Sequence, residues 1–325
     1  LRYALTRLLR FVVVFVLVTF LVMISTRIGS KDPLRDLAGG SVGDDVIAKA
    51  AADYPYIRQY DNNFLGWIPQ YGNWLKDMVT GEWGYSYAQN QPVTEMFKQR
   101  LPLTLWLGVW AIVIGLLIAV PVGVYSAYKR DGLLDRALSF TSFLAISMPP
   151  LVLAVFVLYF VVKPFEFFPS LTEYVAPWKS PVKHFQNFFL PSLTLGIGLG
   201  AVWSRLLRAD MVLTLQSDFI NLARAKGVSP SRVLWVHALR SSILSLITSV
   251  ALQLSGLVSG AVVAEQMFNA GGIGSRLVFA VQGNDILTIQ AIVAVVVAVV
   301  VAANFAVDLL YAVIDPRIRQ MRALG

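Results

Sequence analysis

The sequence predicts an all-α, polytopic membrane protein with six transmembrane helices and a helix-bearing loop on its inner face. Three observations predict it. The 325 residues are 57% hydrophobic and only 14% charged, too apolar a balance for a soluble two-domain chain. The apolar residues gather into six runs, 11–28, 103–128, 137–162, 188–207, 242–264 and 286–314. Each approaches or exceeds the roughly 20 helical residues that cross about 30 Å of hydrocarbon. Charge, finally, is sorted by side. With the N-terminus inside, segments 1–10, 129–136, 205–240 and 315–325, together with Asp308, hold 15 of the 27 Lys and Arg but 6 of the 19 acids. That excess is the positive-inside pattern, so the net charge of +8 needs no nucleic acid to explain it.

Taken in order, the first run follows Arg2, Arg7 and Arg10 and leaves through Ser25-Thr26-Arg27-Ile28, without a small-x-small cleavage pattern. It is therefore expected to be an uncleaved anchor, with the initiator methionine upstream of Leu1. Residues 29–101 form an outer segment far longer than an ordinary connection. In it Trp67, Trp74, Trp83, Tyr71, Tyr85 and Tyr87 are interleaved with charges, the composition of a folded surface. Ser41 is expected to cap a short helix through Val46 and Ala50 to Ala52. Gly81-Glu82-Trp83-Gly84-Tyr85-Ser86 reads as a tight turn rather than helix or strand. Two readings of this aromatic segment stay open: a belt on the lipid headgroups, or a docking platform.

Spans two and four open alike, Leu101-Pro102-Leu103-Thr104-Leu105 and Leu190-Pro191-Ser192-Leu193-Thr194-Leu195. Proline costs no hydrogen bond in a first turn, so both helices are expected to begin at these prolines. Met148-Pro149-Pro150 should kink the third span. Gly196 with Gly200, Gly256 with Gly260, and Ala119 with Gly123 repeat at the spacing that lets helix backbones approach closely in lipid. The resulting organisation is 1–28, tail and first span; 29–101, extracytoplasmic loop; 102–315, transmembrane domain with an inner loop at 205–240; and 316–325, inner tail.

The chemistry that is missing narrows the function. Cysteine is absent, which leaves no disulfide framework. Spans two to five carry no Asp, Glu, Lys or Arg until their ends, where an ion-coupled carrier would need them. Asp308, some six residues from the inner end of the last span, is the exception; it is expected to reach water or pair with a basic residue near the interface, and a role in transport stays the alternative. No Gly-x-x-x-x-Gly-Lys-Ser/Thr phosphate loop occurs. His184 and His237 are expected in loops on opposite sides, which leaves no shared metal site and no base for Ser259. The chain is not expected to be an enzyme, to hold a metal, or to carry its own energy source.

The inner loop carries the remaining signal. Ser217 or Asp218 can cap a short helix bearing Phe219, Ile220, Leu222 and Ala223, and Gly227 suits the left-handed position that ends it. Ser229 and Pro230 then open a helix from Arg232 to Leu239 that feeds the fifth span. A DNA-binding helix-turn-helix uses similar turn chemistry. Here, however, the second helix continues into a membrane span, so the unit could hardly enter a major groove; no nucleic-acid partner is expected.

Asp218-Phe219-Ile220-Asn221-Leu222-Ala223-Arg224-Ala225-Lys226-Gly227, followed by His237-Ala238-Leu239-Arg240, resembles the inner loop of permease subunits of binding-protein-dependent ABC importers, specifically the B-type permease of the peptide/nickel class. Gly81-Glu82-Trp83-Gly84-Tyr85-Ser86, Glu265-Gln266-Met267-Phe268 with Gly272-Ile273-Gly274, and Asp308-Leu309-Leu310-Tyr311-Ala312-Val313-Ile314-Asp315-Pro316-Arg317 extend the resemblance over nearly the whole chain. Asn269-Ala270-Gly271 departs from it, since the family more often places an aromatic residue and proline before the glycine.

The resemblance implies a cytoplasmic coupling helix that docks in a groove of a separate ATPase. Asp218, Phe219, Leu222, Ala223, Arg224, Ala225, Lys226 and Gly227 would make that contact, with Ala223, Ala225 and Gly227 giving the close backbone fit. It also implies a second homologous permease, two ATP-binding-cassette ATPase subunits or domains, and an extracytoplasmic substrate-binding protein, faced by the loop bearing Trp83, Tyr85 and Tyr87. ATP and Mg would sit on the ATPases and no cofactor in this chain. The expected setting is the bacterial plasma (inner) membrane and its lipid, with both termini cytoplasmic. Oligopeptides or dipeptides are the expected cargo. Nickel chelates and oligosaccharides are the alternatives within the class, and a secondary transporter or channel is the alternative outside it.

Overall fold

Helices make up nearly all of the regular structure in the computed structural model, which describes residues 2–28, 34–35, 43–59, 63–162, 167–169 and 173–314. They are α1 (Arg2–Arg27), α2 (Asp44–Asp53), α3 (Tyr56–Gln59), α4 (Phe64–Thr80), α5 (Val93–Tyr128), α6 (Leu133–Ser147), α7 (Pro150–Val157), α8 (Pro181–Leu215), α9 (Asp218–Ala225), α10 (Pro230–Arg232), α11 (Leu239–Met267), α12 (Ile273–Gln282) and α13 (Ile286–Ile314). The two strands, β1 (Tyr85–Ser86) and β2 (Gln91–Pro92), pair antiparallel. Ser41, the Asp308 side chain and the tail from 315 onward lie outside the described residues.

Among the described residues, five helices are long and apolar enough to cross a membrane: Leu9–Arg27, Val93–Tyr128, Pro181–Leu215, Pro230–Leu254 and Ile286–Phe305. A bent pair, Leu133–Ser147 with Pro150–Val161, completes six when counted as one span. The expected kink is there, and it is a 108° break. Met148 sits at φ −80°, ψ 126°, the extended conformation forced on a residue that precedes proline, and α7 restarts with Pro150 in its first turn.

Two expectations about helix starts are corrected. α5 begins at Val93, so Pro102 lies inside it, and α8 begins at Pro181, with Pro191 in its interior. An internal proline removes one helical hydrogen bond. Around Pro191 this is outweighed by packing, for Phe188, Leu190, Ser192, Thr194 and Leu195 are all buried. The same extension places His184 in the first turn of α8, not in a loop. Its Nδ1 donates to the Val175 carbonyl at 2.6 Å, while its Nε2 accepts from Trp110 Nε1 at 2.9 Å. The ring is thereby held as the Nδ1–H tautomer.

The chain divides into two compact units, Leu103–Gly271 and a second made of Leu1–Pro102 with Gly272–Gly325. In the first, α8 is the central strut against which α5, α6 and α11 pack. The α5–α8 approach is set by glycine. A Cβ on Gly196 would stand 3.1 Å from the Ala111 carbonyl oxygen, and one on Gly200 would stand 3.0 Å from that of Gly115. Lipid offers no hydrophobic drive to bring helices together, so such close contact supplies the attraction. Residues on the outward faces, such as Leu117, Phe140 and Leu252, are correspondingly exposed. Arg208 on α8 grips Asp135 at the start of α6 with two hydrogen bonds, 2.7 and 2.6 Å. Ser126 and the Asp131 N–H also donate to that carboxylate.

In the other unit α1 packs along α13, and the segment between α1 and α5 folds over them. Tyr71 of α4 shares a 2.7 Å hydrogen bond with Thr19 of α1, within a core of Met23, Ala50, Trp74, Tyr87, Leu287 and Ala294. The helix expected through Val46 to Ala52 is α2, entered from Gly43.

Candidate functional site: a helix presented for docking

α9 is eight residues long, too short to be stable alone. One side chain roots it. Ile220 is fully buried among Met211, Leu207, Trp203, Val233 and Leu234, whereas Phe219 and Leu222 on either side are about half exposed. Asp218, Arg224, Ala225, Lys226 and Gly227 are exposed as well, and Ala223 is half-buried. The helix and its C-cap Lys226 thus turn two large apolar groups and two cations outward.

Both ends are fixed by local chemistry. Ser217 is the N-cap, but its hydroxyl donates back to the Thr214 carbonyl at 2.6 Å instead of capping α9. Asp218 in the first turn and Arg224 in the last oppose the helix dipole favourably. At the other end Gly227 adopts φ +77°, its N–H donating to Arg224 O (2.9 Å), and the Val228 N–H reaches back to Ala223 O (3.2 Å). Ser229 and Pro230 then start α10, and a π-helical turn over Val233–Ala238 runs straight into α11. Such π turns are rare and cluster at functional positions. The Thr214 and Ser242 hydroxyls, 3.1 Å apart, close the base of the loop. α9 is thus held between α8 and the π-helical turn that leads into α11.

The second sequence-predicted set, Trp83, Tyr85 and Tyr87, falls on the segment Gly81–Pro92. Gly81 and Gly84 both have positive φ, as a tight turn requires, but Tyr85-Ser86 continues as a strand, correcting the expectation of a turn alone. Trp83 is half-buried; its Nε1 donates to Met78 O and its ring meets Phe97 edge-on at 5.1 Å. Tyr87 is buried and donates to Asp53 at 2.7 Å. Tyr85 keeps partial exposure, with its hydroxyl 2.6 Å from Asn90 and Lys49 over its ring. These aromatics mostly build the hairpin, and what it exposes is Gly81, Glu82, Ala88, Gln89, Asn90 and Pro92.

Beside the hairpin lies a depression of about 480 Å³ lined by Asp53, Tyr54, Tyr56, Asp77, Glu82, Trp83 and Tyr85. Burial pushes the Tyr54 hydroxyl up to about 12, and burial and then the neighbouring Glu82 raise the Asp77 carboxyl above its usual range. Among the described residues no three His, Cys, Asp or Glu stand close enough to hold a metal ion.

Sequence reasoning did not find Ile220 as the anchor, nor a buried cluster of Ser86, Arg276 and Asp285. A lone isoleucine in a basic loop gives no signal, and Ser86 and Asp285 are 199 residues apart.

Known proteins resemble this chain. Over 322 residues the chain is 29% identical to a probable peptide ABC transporter permease protein of Sinorhizobium fredii, covering 98% of this chain and 99% of the relative. It is 34% identical over 251 residues to the dipeptide transport system permease protein DppB of Lactococcus lactis, covering 77% and 80%. The glutathione transport system permease protein GsiC of Shigella flexneri matches at 30% over 319 residues, covering 98% and 99%. In fold, 68% of the chain superposes on 96% of a chain from the inward-facing MetNI methionine ABC transporter, with a TM-score of 0.55 at 18% identity. A family model described as binding-protein-dependent transport system inner membrane component matches residues 119–320, which include α9 and both of its supporting spans. The chain belongs to that family of ABC transporter permeases.

Proposed function

We propose that this permease forms the translocation path of an ATP-driven importer of oligopeptides or dipeptides, with α9 as its coupling helix. The observation that carries the reading is the division of labour within α9. Ile220 is sunk into the core, while Phe219, Leu222, Arg224 and Lys226 are exposed on a short element joined by tight turns to α8 and to the π turn that leads into α11. In this reading the exposed face docks in a groove of an ATP-binding-cassette subunit, which holds the ATP and Mg. A second, homologous permease carries the mate of α9. Closure of the two ATPase subunits pushes both helices, shifting the population from inward- to outward-facing states by differential contacts. The peptide cargo is supported by the names of the relatives. Charge segregation supports cytoplasmic termini, a cytoplasmic α9 and an extracytoplasmic hairpin that meets a substrate-binding protein.

Reconstitution tests this. The chain alone in liposomes should concentrate no peptide. With the second permease, ATPases and peptide-loaded binding protein it should do so on ATP, and an ATPase unable to hydrolyse should abolish accumulation. Accumulation by the chain alone on an ion gradient would establish a secondary transporter instead.

A further inference from the structure

The hairpin that the proposed function turns toward the binding protein is tied to the membrane spans by one buried ionic cluster. Asp285 stands immediately before α13 and caps it, with Oδ1 accepting the Thr288 N–H at 3.3 Å. Its Oδ2 accepts from the Ser86 hydroxyl (2.5 Å), Arg276 Nη2 (2.7 Å) and the Thr288 hydroxyl (2.8 Å). Arg276 Nη2 also reaches Ser86 Oγ at 3.2 Å. The Arg276 and Asp285 side chains are 4% and 2% exposed. Three separate pieces of chain thus meet on one carboxylate: the β-hairpin through Ser86, α12 through Arg276, and the head of α13.

Two further features hold the cluster's pieces close together. Asn284, in the left-handed conformation, makes the turn from α12 into α13. At the hairpin's base, Gly84 lies so close to α13 that a Cβ there would stand 3.2 Å from Leu287, and the Gly84 carbonyl accepts the Val93 N–H that begins α5. A buried pair of this kind contributes little net stability, since desolvation offsets its attraction, and Arg276 Nε is left without a partner. What the pair does fix is geometry.

We propose that Arg276 and Asp285 are positioning residues for transport, a strut that carries force from a binding protein seated on the hairpin into α12 and α13. The inference rests on the proposed role of the hairpin. A strut transmits; it does not bind. Weakening it should lower the maximal stimulation that saturating binding protein produces, without changing the concentration that half-saturates it.

The experiment uses the full transporter in nanodiscs, with ATPase activity titrated against peptide-loaded binding protein. Asp285→Asn keeps the shape and loses the charge; Ser86→Ala removes one hydroxyl and leaves the ion pair. Both should assemble and retain ATPase activity without binding protein. Maximal stimulation should fall about fivefold or more in Asp285→Asn and less in Ser86→Ala, as expected for loss of a coupling free energy. Arg276→Lys, which keeps the charge, should recover part of what Arg276→Gln loses. Unchanged stimulation in Asp285→Asn and Arg276→Gln, or a change in half-saturation alone, would overturn the strut. A cysteine at exposed Ala88 should cross-link to the binding protein in the wild-type background. Absence of that cross-link with normal stimulation would overturn the hairpin's docking role and the strut with it, an outcome distinct from failure of the strut alone.

Discussion

Arg208 holds Asp135 with a two-pronged grip at 2.7 and 2.6 Å, and the carboxylate also accepts from Ser126 and the Asp131 N–H. The pair fastens the turn between α5 and α6 to the central helix α8. Asp135 is nearly buried, whereas the Arg208 side chain is 29% exposed. Asp135→Ala strands a partly solvated guanidinium and two donors, so the cost should sit at or below the usual range for a broken buried pair, about 2–3 kcal/mol. Exchanging the two residues should not restore stability, because Ser126 and the Asp131 N–H would still point donors at the site. Unfolding of the solubilised variants measures both effects; recovery by the exchanged pair would show that charge alone matters there.

Gly227 has φ +77° and nothing within 4 Å of where its Cβ would be. Its requirement is therefore conformational and not steric. Gly227→Leu should place insertion-competent protein in the membrane but abolish uptake, because the left-handed geometry costs a branched residue about 1–2 kcal/mol and the turn that aims α9 is lost. Gly227→Asn, which tolerates that geometry, should retain most uptake. Equal loss in both variants would mean that the partner surface needs the bare backbone. Full uptake by Gly227→Leu would remove the turn from the mechanism.

How far the sequence reveals this architecture depends on the range of the interactions. Runs of apolar residues, the Met148-Pro149-Pro150 break and the Gly227 turn are local, and the structure has each where the sequence puts it. The starts of α5 and α8 were misplaced because Pro102 and Pro191 obey a local rule that distant packing overrides. At the proposed docking site, the exposed face of α9 is readable from composition, but the burial of Ile220 arises from residues on α8 and the π turn. The Ser86–Asp285 contact closes 199 residues and has no sequence period at all.

Ile220 and Leu222, two residues apart, should separate anchoring from docking. Ile220→Ala removes a fully buried side chain and should cost about 2–4 kcal/mol, lowering the melting temperature and disordering α9. Leu222 is 56% exposed, so Leu222→Ala should leave thermal stability within about 0.5 kcal/mol. It should nonetheless weaken co-purification with the ATPase and reduce peptide-driven ATP hydrolysis. Normal ATPase association in Leu222→Ala, with the protein folded, would place the partner surface elsewhere on the loop.

Asp77 gives a pH signature. Burial, reinforced by Glu82, raises its carboxyl pKa from 3.8, while the Tyr56 hydroxyl hydrogen-bonds to it at 3.4 Å. A carboxyl with its folded pKa above its unfolded value binds more protons folded than unfolded, so between the two values stability falls as pH rises. Above that window the ionised group is a standing penalty; below 3.8 both states are protonated and the penalty is gone. Asp77→Asn keeps an oxygen for Tyr56 and removes the charge. It should therefore melt higher than the wild type at neutral pH, and the difference should shrink as pH is lowered through the window. Melting curves of the purified protein from neutral pH down to acid test the sign. A variant less stable than wild type at neutral pH would show that Asp77 is held ionised by a favourable partner, reversing the assignment of burial as the dominant influence on it.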